Sequence, residues 1–422
     1  MVELNFNPGD YVKIRLALKE IEGRVIESED KNIILLKLAS GYNIGIPKEN
    51  ILAGRVLKKY KEEEVDRKIV QNNKLPSIGL IITGGTIASK ASQSTGGVRP
   101  ITNVNEFLEF YPELLNMVNI KKIEVPFKIF SENMSSGHWI KLAECIKPML
   151  EDNDIKGVIV SHGTDTLHYT AVALSFFIQN LNKPIVLTYS QRSIDRASSD
   201  ANLNLQCAAR MALSDCAEVM LVGHANTEDE YCHAFLGTKV RKLHSSRRDA
   251  FQSVNAKPLA KVFPDKVEFL EKYRKRGNSK PEVDVLFSDK VALIKFYPGQ
   301  DPSILDFYAL KYKGIVLEGT GLGHVSGSDS LHSWIPTLKR HIKSGLVVCM
   351  TTQTLFGRVD PYVYSTAREL LDAGVIYLED MLPETAFVKL GFVLGHYGWK
   401  VHVKEKMLEN MAGEIGGRLN YI

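Results

Sequence analysis

The stretch that most constrains this chain is Ile78-Gly79-Leu80-Ile81-Ile82-Thr83-Gly84-Gly85-Thr86-Ile87-Ala88-Ser89. An apolar run of strand length passes straight into Thr-Gly-Gly-Thr, so a buried strand has to end in a turn tight enough to need two glycines. Such a turn presents Thr86, a hydroxyl at the mouth of a strand with glycine backbone around it. In an open α/β sheet this is where an acyl-transfer enzyme would hold its nucleophile. Taken alone, the same turn equally suits a plain strand-to-helix junction. The choice between them rests on the rest of the chain.

At 422 residues the chain is long enough for two or three domains. Hydrophobic residues at 44% and charged residues at 24% argue for a folded globular protein. No apolar run reaches the ~20 residues of a membrane span, and Met1-Val2-Glu3-Leu4-Asn5 is not a secretory signal. The expectation is a cytoplasmic protein without a membrane partner. A net charge of +4 is too small to argue for nucleic acid. The five cysteines (Cys145, Cys207, Cys216, Cys232, Cys349) form no C-x-x-C pair. No metal site and no disulfide framework is expected, and the thiols read as small buried apolar groups.

Residues 1–57 differ from the rest of the chain. Short alternating runs at 10–15, 22–27, 32–37 and 42–47 are separated by Gly, Asp, Ser and Asn, the pattern of a small antiparallel β-barrel. Such barrels bind RNA or protein. Residues 1–70 hold 13 Lys/Arg against 12 Asp/Glu, which leaves no electrostatic footprint for phosphate and favours a protein partner or packing on the main domain. Residues 58–76 are highly charged and read as a linker. From 77 to 263 apolar strand-length runs (157–161, 184–189, 217–223) alternate with helix-like stretches (167–180, about 200–213). Continuous apolar runs alternating with helices mean a parallel sheet covered on both faces, with its ligand site beyond the strand C-terminal ends. The basic stretch 264–284 reads as a second linker. A smaller α/β lobe over 285–422 comes next, with helices near 303–312, 328–343, 361–373 and 384–395.

Three further positions bear on chemistry. Ser161-His162-Gly163-Thr164-Asp165-Thr166 closes a strand. A threonine hydroxyl near neutral pH needs a base or a relay to lose its proton, and Lys242 is a candidate for that task. The Asp165 carboxylate suits an α-amino group. Thr164 and Asp165 also read as helix caps, and the basic run 239–251 as a phosphate patch or a solvated loop.

The combined pattern resembles the L-asparaginase/glutaminase family, a two-lobed α/β fold. It is carried by Thr-Gly-Gly-Thr-Ile-Ala at 83–88, Ser-His-Gly-Thr-Asp-Thr at 161–166, and the lysine nine residues before Phe251. The resemblance covers about 77–422, including Asp380-Met381-Leu382-Pro383-Glu384-Thr385-Ala386. It implies Thr86 as nucleophile, Thr164 and Lys242 as a proton relay, Asp165 on the substrate α-amino group and Ser131 on its α-carboxylate. Gly85 and Gly163 would line the substrate. The small N-terminal barrel resembles the archaeal, tRNA-dependent amidotransferase branch of that family. That branch implies glutamine as substrate and ammonia passed to a partner in the amidotransferase, its E subunit. ATP and Mg are then expected on the partner and no cofactor in this chain. A homodimer of this chain and tRNA contact mainly through the partner are also implied.

One departure stands out. The family places a tyrosine on a mobile loop after the first threonine, whereas the stretch from Ser89 to Pro100 contains none and has Gln93 near that position. Glutamine can donate a hydrogen bond but cannot act as a base. A free-standing L-asparaginase and a catalytically impaired binding scaffold therefore stand as alternatives. Nucleotide P-loop, Gly-x-Ser-x-Gly and His-Glu-x-x-His signatures are absent from the sequence.

Overall fold

The computed structural model describes residues 5–28, 30–40, 42–60, 72–91, 98–100, 104–194, 196 and 198–418. It forms two compact units, one of Met1–Val70, Ala88–Pro112 and Ser193–Ser199, the other of Gln71–Ile87, Glu113–Arg192 and Asp200–Ile422.

In the first unit β1 (Tyr11–Arg15), β2 (Glu20–Ile26), β3 (Ile33–Lys37), β4 (Asn43–Pro47) and β5 (Ala53–Lys58) pair antiparallel in the order β4-β3-β2-β1-β5. Alternation puts Val12, Ile14, Val25, Ile34, Leu36 and Ile46 into one small core. Among the described residues no pairing joins edge strands β4 and β5. The element is thus a five-stranded sheet where a closed barrel was expected. Pro47, which has no N–H to donate, ends edge strand β4. The last strand, β5, has no fully buried side chain, with Val56 partly buried against the core, so it carried little apolar alternation to mark it in the sequence.

Strand β6 (Ser77–Ile82) opens the second unit. The first unit then takes up the ribbon of β7 (Ser89–Ala91) and β8 (Val98–Pro100) and helix α1 (Val104–Glu109). After α2 (Pro112–Met117) come β9 (Asn119–Glu124), α3 (Ser136–Glu151), β10 (Ile155–Ser161), α4 (Leu167–Phe177), β11 (Ile178–Gln179), β12 (Ile185–Thr188), α5 (Ala201–Leu213) and β13 (Val219–His224). The lobe continues with β14 (Cys232–Leu236), β15 (Val240–Lys242), β16 (Phe251–Ser253), β17 (Ala260–Val262), β18 (Val267–Phe269) and β19 (Glu282–Val283). Eight of these strands make one sheet, ordered β18-β17-β14-β13-β12-β10-β6-β9. From β13 to β9 it is parallel, while β14, β17 and β18 extend it antiparallel. The central strands are buried on both faces, as the unbroken Val/Ile/Leu runs require.

The stretch 264–284, read as a linker, is folded onto this lobe. Its strand β18 pairs with β17. Arg276 caps the C-terminal end of α5, donating from Nε to the Ser214 carbonyl at 2.6 Å and from Nη2 to that of Ala212 at 2.9 Å. Carbonyls left unpaired at a helix end take up the cation. Of the charged stretch 58–76, residues 61–71 lie outside the described residues.

The second lobe holds β20 (Val291–Lys295), α6 (Ile304–Lys311), β21 (Gly314–Gly319), α7 (Ile335–Lys343), β22 (Val347–Thr352), α8 (Ser365–Asp372), β23 (Ile376–Tyr377), α9 (Pro383–Gly395) and α10 (Val403–Leu408). Its four strands are parallel in the order β20-β21-β22-β23. Helix α7 is shorter than the 328–343 expected, since Ser326–Asp329 is turn-forming and Pro336 sets the first helical turn. Helix α9 serves both lobes. Val388 and Phe392 enter the first core, and Ala386, Leu390 and Val393 the second. A helix apolar all round is buried all round, so its two buried charged residues, Glu384 and Lys389, both need partners. Four cysteines are buried and Cys145 is half-buried, all as free thiols. No helix among the described residues is long and apolar enough to cross a membrane.

Candidate active site

Strands β6 and β10 lie side by side with Ile82 opposite Ser161, so the two threonine-bearing loops leave the same sheet edge together. Thr83 locks them, since its N–H (3.2 Å) and its hydroxyl (2.9 Å) both donate to the Ser161 carbonyl. Gly84 and Gly85 then take φ of 111° and 79°, a left-handed conformation that costs a β-carbon about 1–2 kcal/mol. At Gly85 a β-carbon would also lie 2.5 Å from the Gly163 nitrogen. The glycine turn is therefore pressed backbone to backbone against the loop carrying Thr164. Thr86, the next residue, begins a short 3₁₀ turn and is half-buried.

A third loop completes the cluster. The Ile129 N–H donates to the Thr83 carbonyl at 3.2 Å. This brings in Ser131, whose Oγ accepts the Asp165 N–H at 3.1 Å and whose carbonyl accepts the Thr166 hydroxyl at 2.6 Å. Gly163 has no room for a side chain because a β-carbon would meet Ser131 Cβ and Oγ at 2.9 Å. Thr166, not Thr164 or Asp165, stands at the N-cap of α4. The two residues that could have served as caps are thus free of that task.

Lys242 arrives from β15. Its Nζ donates to Thr164 Oγ1 at 2.8 Å and to Asp165 Oδ1 at 2.8 Å. The lysine side chain is 10% exposed and the aspartate 64%, so the ammonium is held at the back of the site and the carboxylate faces solvent and an incoming ligand. The structure therefore brings Ser131, Gly163, Thr164, Asp165 and Lys242 into direct contact, with Gly85 against Gly163 and Thr86 beside it. Gln93 lies outside the described residues. Among the described residues no group of three or more His, Cys, Asp or Glu is placed to hold a metal ion.

Behind the site is a polar chain that the motif alone does not reveal. His162 is fully buried, and desolvation pushes its pKa down to about 4. Its Nδ1 lies 2.7 Å from the Gly163 carbonyl, which only accepts, so the proton sits on Nδ1. Its Nε2 accepts the Thr170 hydroxyl at 2.9 Å, and Thr170 Oγ1 accepts the Trp139 Nε1–H at 3.1 Å. One neutral tautomer is thereby fixed, and with it the direction of the Gly163 carbonyl. His168, also buried and pushed down to about 3 chiefly by desolvation and then by Arg241 and Lys242, is a second neutral imidazole nearby.

Fold and site define the class, and sequence comparison agrees. Residues 77–275 match the family described as Asparaginase, N-terminal, and residues 290–407 the Glutaminase/Asparaginase C-terminal domain. A solved structure, the thermostable L-asparaginase from Thermococcus kodakarensis, superposes with a TM-score of 0.72 at 31% identity, over 81% of this chain and 100% of that one. The chain belongs to the asparaginase/glutaminase family and has the fold of an amidohydrolase of that family.

The branch is defined as well. Residues 6–57 match the GatD N-terminal domain. The D subunit of the glutamyl-tRNA(Gln) amidotransferase of Pyrococcus abyssi is 48% identical over 98% of this chain and 96% of its own length. That of Pyrococcus furiosus is 49% identical over 96% and 94%. Within the asparaginase family the chain belongs with these archaeal D subunits.

Proposed function

We propose that this chain is the glutamine-hydrolysing subunit of a tRNA-dependent amidotransferase, releasing ammonia for a partner subunit that converts Glu-tRNA(Gln) to Gln-tRNA(Gln). The observation that carries the reading is the contact of Lys242 with Thr164 and Asp165 at 2.8 Å each, on the loop against which the Gly84-Gly85-Thr86 turn is pressed.

In this reading Asp165 takes the substrate α-ammonium. Ser131 takes the α-carboxylate, its Oγ accepting from the Asp165 N–H and so keeping its own proton for the ligand. The Thr86 hydroxyl attacks the side-chain amide carbon, and backbone N–H groups of its turn face the developing oxyanion. Collapse breaks the C–N bond, ammonia leaves with the proton withdrawn from the nucleophile, and water then hydrolyses the γ-glutamyl ester to regenerate Thr86. Thr164 and Lys242 carry the proton, since a separation of 2.8 Å serves transfer in either direction once the amine is neutral. ATP and Mg belong to the partner, the E subunit, as does most of the tRNA contact. The working assembly contains a dimer of this chain.

The test is Thr86→Ala in the complex with its partner. Glutamine-dependent amidation should fall by at least ~10³-fold, while ammonium salts still support it. Loss of both would make Thr86 structural. Brisk asparagine turnover by the chain without a partner would instead indicate a free-standing asparaginase.

A further inference from the structure

We propose that Arg241 is a positioning residue for Lys242, held by Glu384 at the start of α9, so that the second lobe sets where the proton-carrying amine sits. This rests on Lys242 being part of the proton relay.

Strand β15 is three residues long and, among the described residues, pairs only with β16, in a two-stranded ribbon. Such a ribbon is too short to fix its own position. Val240 and Phe251 seat it in the first-lobe core, and the second lobe adds polar anchors. Arg241 Nη2 meets Glu384 Oε1 at 2.9 Å, and the glutamate side chain is 8% exposed. The Thr385 hydroxyl donates to the Thr238 carbonyl at 2.9 Å. Just ahead of the strand, Lys239 meets Asp380 at 2.7 Å in a pair buried on both sides. Side chains of a strand alternate, so Arg241 and Lys242 leave it on opposite faces. One cation is directed to α9 and the next to Thr164 and Asp165. Pro383 fixes the first turn of α9, and a carboxylate there is favoured by the helix dipole. Glu384 is therefore a rigid post. Its second oxygen, Oε2, is buried without a partner among the described residues, so rotating the carboxylate away from Arg241 would leave both oxygens unpaired. The strand cannot slide along α9 without breaking this pair, and sliding is what would draw Lys242 Nζ off Thr164.

The experiment compares Arg241→Met, Arg241→Lys, Glu384→Gln and Lys242→Met in the intact complex, reading kcat and KM for glutamine and the solvent isotope effect on kcat. A displacement of about an ångström at a catalytic group costs up to ~100-fold. Arg241→Met should therefore lower kcat by roughly 10- to 100-fold with KM little changed, and should raise the isotope effect because proton transfer has become slower. Glu384→Gln should do the same more weakly, and Arg241→Lys, which can still reach Oε1, should recover most of kcat. If Arg241→Met does not fold, the other two substitutions carry the same comparison. Wild-type kcat and isotope effect in Arg241→Met or Glu384→Gln, beside an inactive Lys242→Met, would overturn the positioning role alone. So would a fall in kcat with an unchanged isotope effect, which is what a smaller folded fraction gives. An active Lys242→Met would overturn the relay role of Lys242 on which the proposal rests.

Discussion

Gly85→Ala is the most searching single change to the site, because it adds one methyl group and removes no functional atom. At φ of 79° the new β-carbon costs about 1–2 kcal/mol for the left-handed conformation. The space is the larger problem. The β-carbon would stand 2.5 Å from the Gly163 nitrogen, 2.6 Å from its Cα and 2.8 Å from the His162 carbonyl carbon, roughly 1 Å short of the ~3.5 Å of ordinary contact. All three are backbone atoms, and none can rotate aside. His162 cannot yield either, since its ring is tied to the Gly163 carbonyl and to Thr170. The Gly84-Gly85-Thr86 turn and the Gly163-Thr164-Asp165 loop must separate by something near that ångström. Overpacking of a well-filled site costs a further ~1–3 kcal/mol, so a total loss of about 2–5 kcal/mol in urea unfolding is expected. Separating the proposed nucleophile from the proposed relay should cut glutamine-dependent turnover by ~100-fold or more, while ammonium-dependent amidation by the complex stays near wild type. Gly85→Ala with full glutaminase turnover would refute the claim that this close approach aligns Thr86 with Thr164.

Two further predictions concern stability. His162 and His168 titrate at about 4 and about 3 when folded, against an ordinary value of 6.5, so below pH ~6.5 the unfolded chain binds protons that the folded chain refuses, and stability falls as pH drops. At pH 5 this amounts to roughly 2 kcal/mol for each imidazole; urea unfolding at pH 7.5 and pH 5 should show it, and a flat profile over that interval would contradict the buried neutral state. Glu414→Ala should cost about 3–5 kcal/mol, because it leaves the buried Lys389 ammonium, 2.5 Å from Glu414 Oε1 in a pair with both side chains fully buried, with the Met407 and Glu409 carbonyls but without its carboxylate. The double change Lys389→Met, Glu414→Ala should be less harmful than Glu414→Ala alone, and a more harmful double variant would show that the charge is not the source of the loss.

The parts of the site that could be read from sequence are those where a backbone requirement leaves few residue choices. Thr83-Gly84-Gly85-Thr86 announces itself because positive φ and backbone-to-backbone contact both exclude side chains, whereas Gly163, without a positive φ, owes its lack of room to the Ser131 side chain and was named through family likeness. Lys242 is a different case. Its residue type allows a proton-carrying role that Arg241 cannot take, but nothing local places it against Thr164, and likeness to a family singled it out. In the fold the distinction is simple: the two residues face opposite ways from one strand, and which face meets Thr164 depends on β15 being placed by elements more than a hundred residues further along. Strand β5 and the strap over α5 were hidden for a related reason. The strand has no fully buried side chain, and the charges of Arg274-Lys275-Arg276 look like those of a solvated linker until the carbonyls at the end of α5 that accept Arg276 are in view.

The same physics explains why α9 matters more than its sequence suggests. Two lobes share one helix, so its inward-facing charges must be answered from elsewhere, Glu384 by Arg241 in the first lobe and Lys389 by Glu414 near the C-terminus. A buried pair is a weak source of net stability but a strong constraint on register, because a mismatch strands a charge in low dielectric. With such a pair one residue from the amine that contacts Thr164, the proposed proton transfer would depend on how the lobes are joined. On the proposed reading, in which ammonia passes to a partner, a shift of the second lobe would have a short path into the site, from α9 through Arg241 to Lys242.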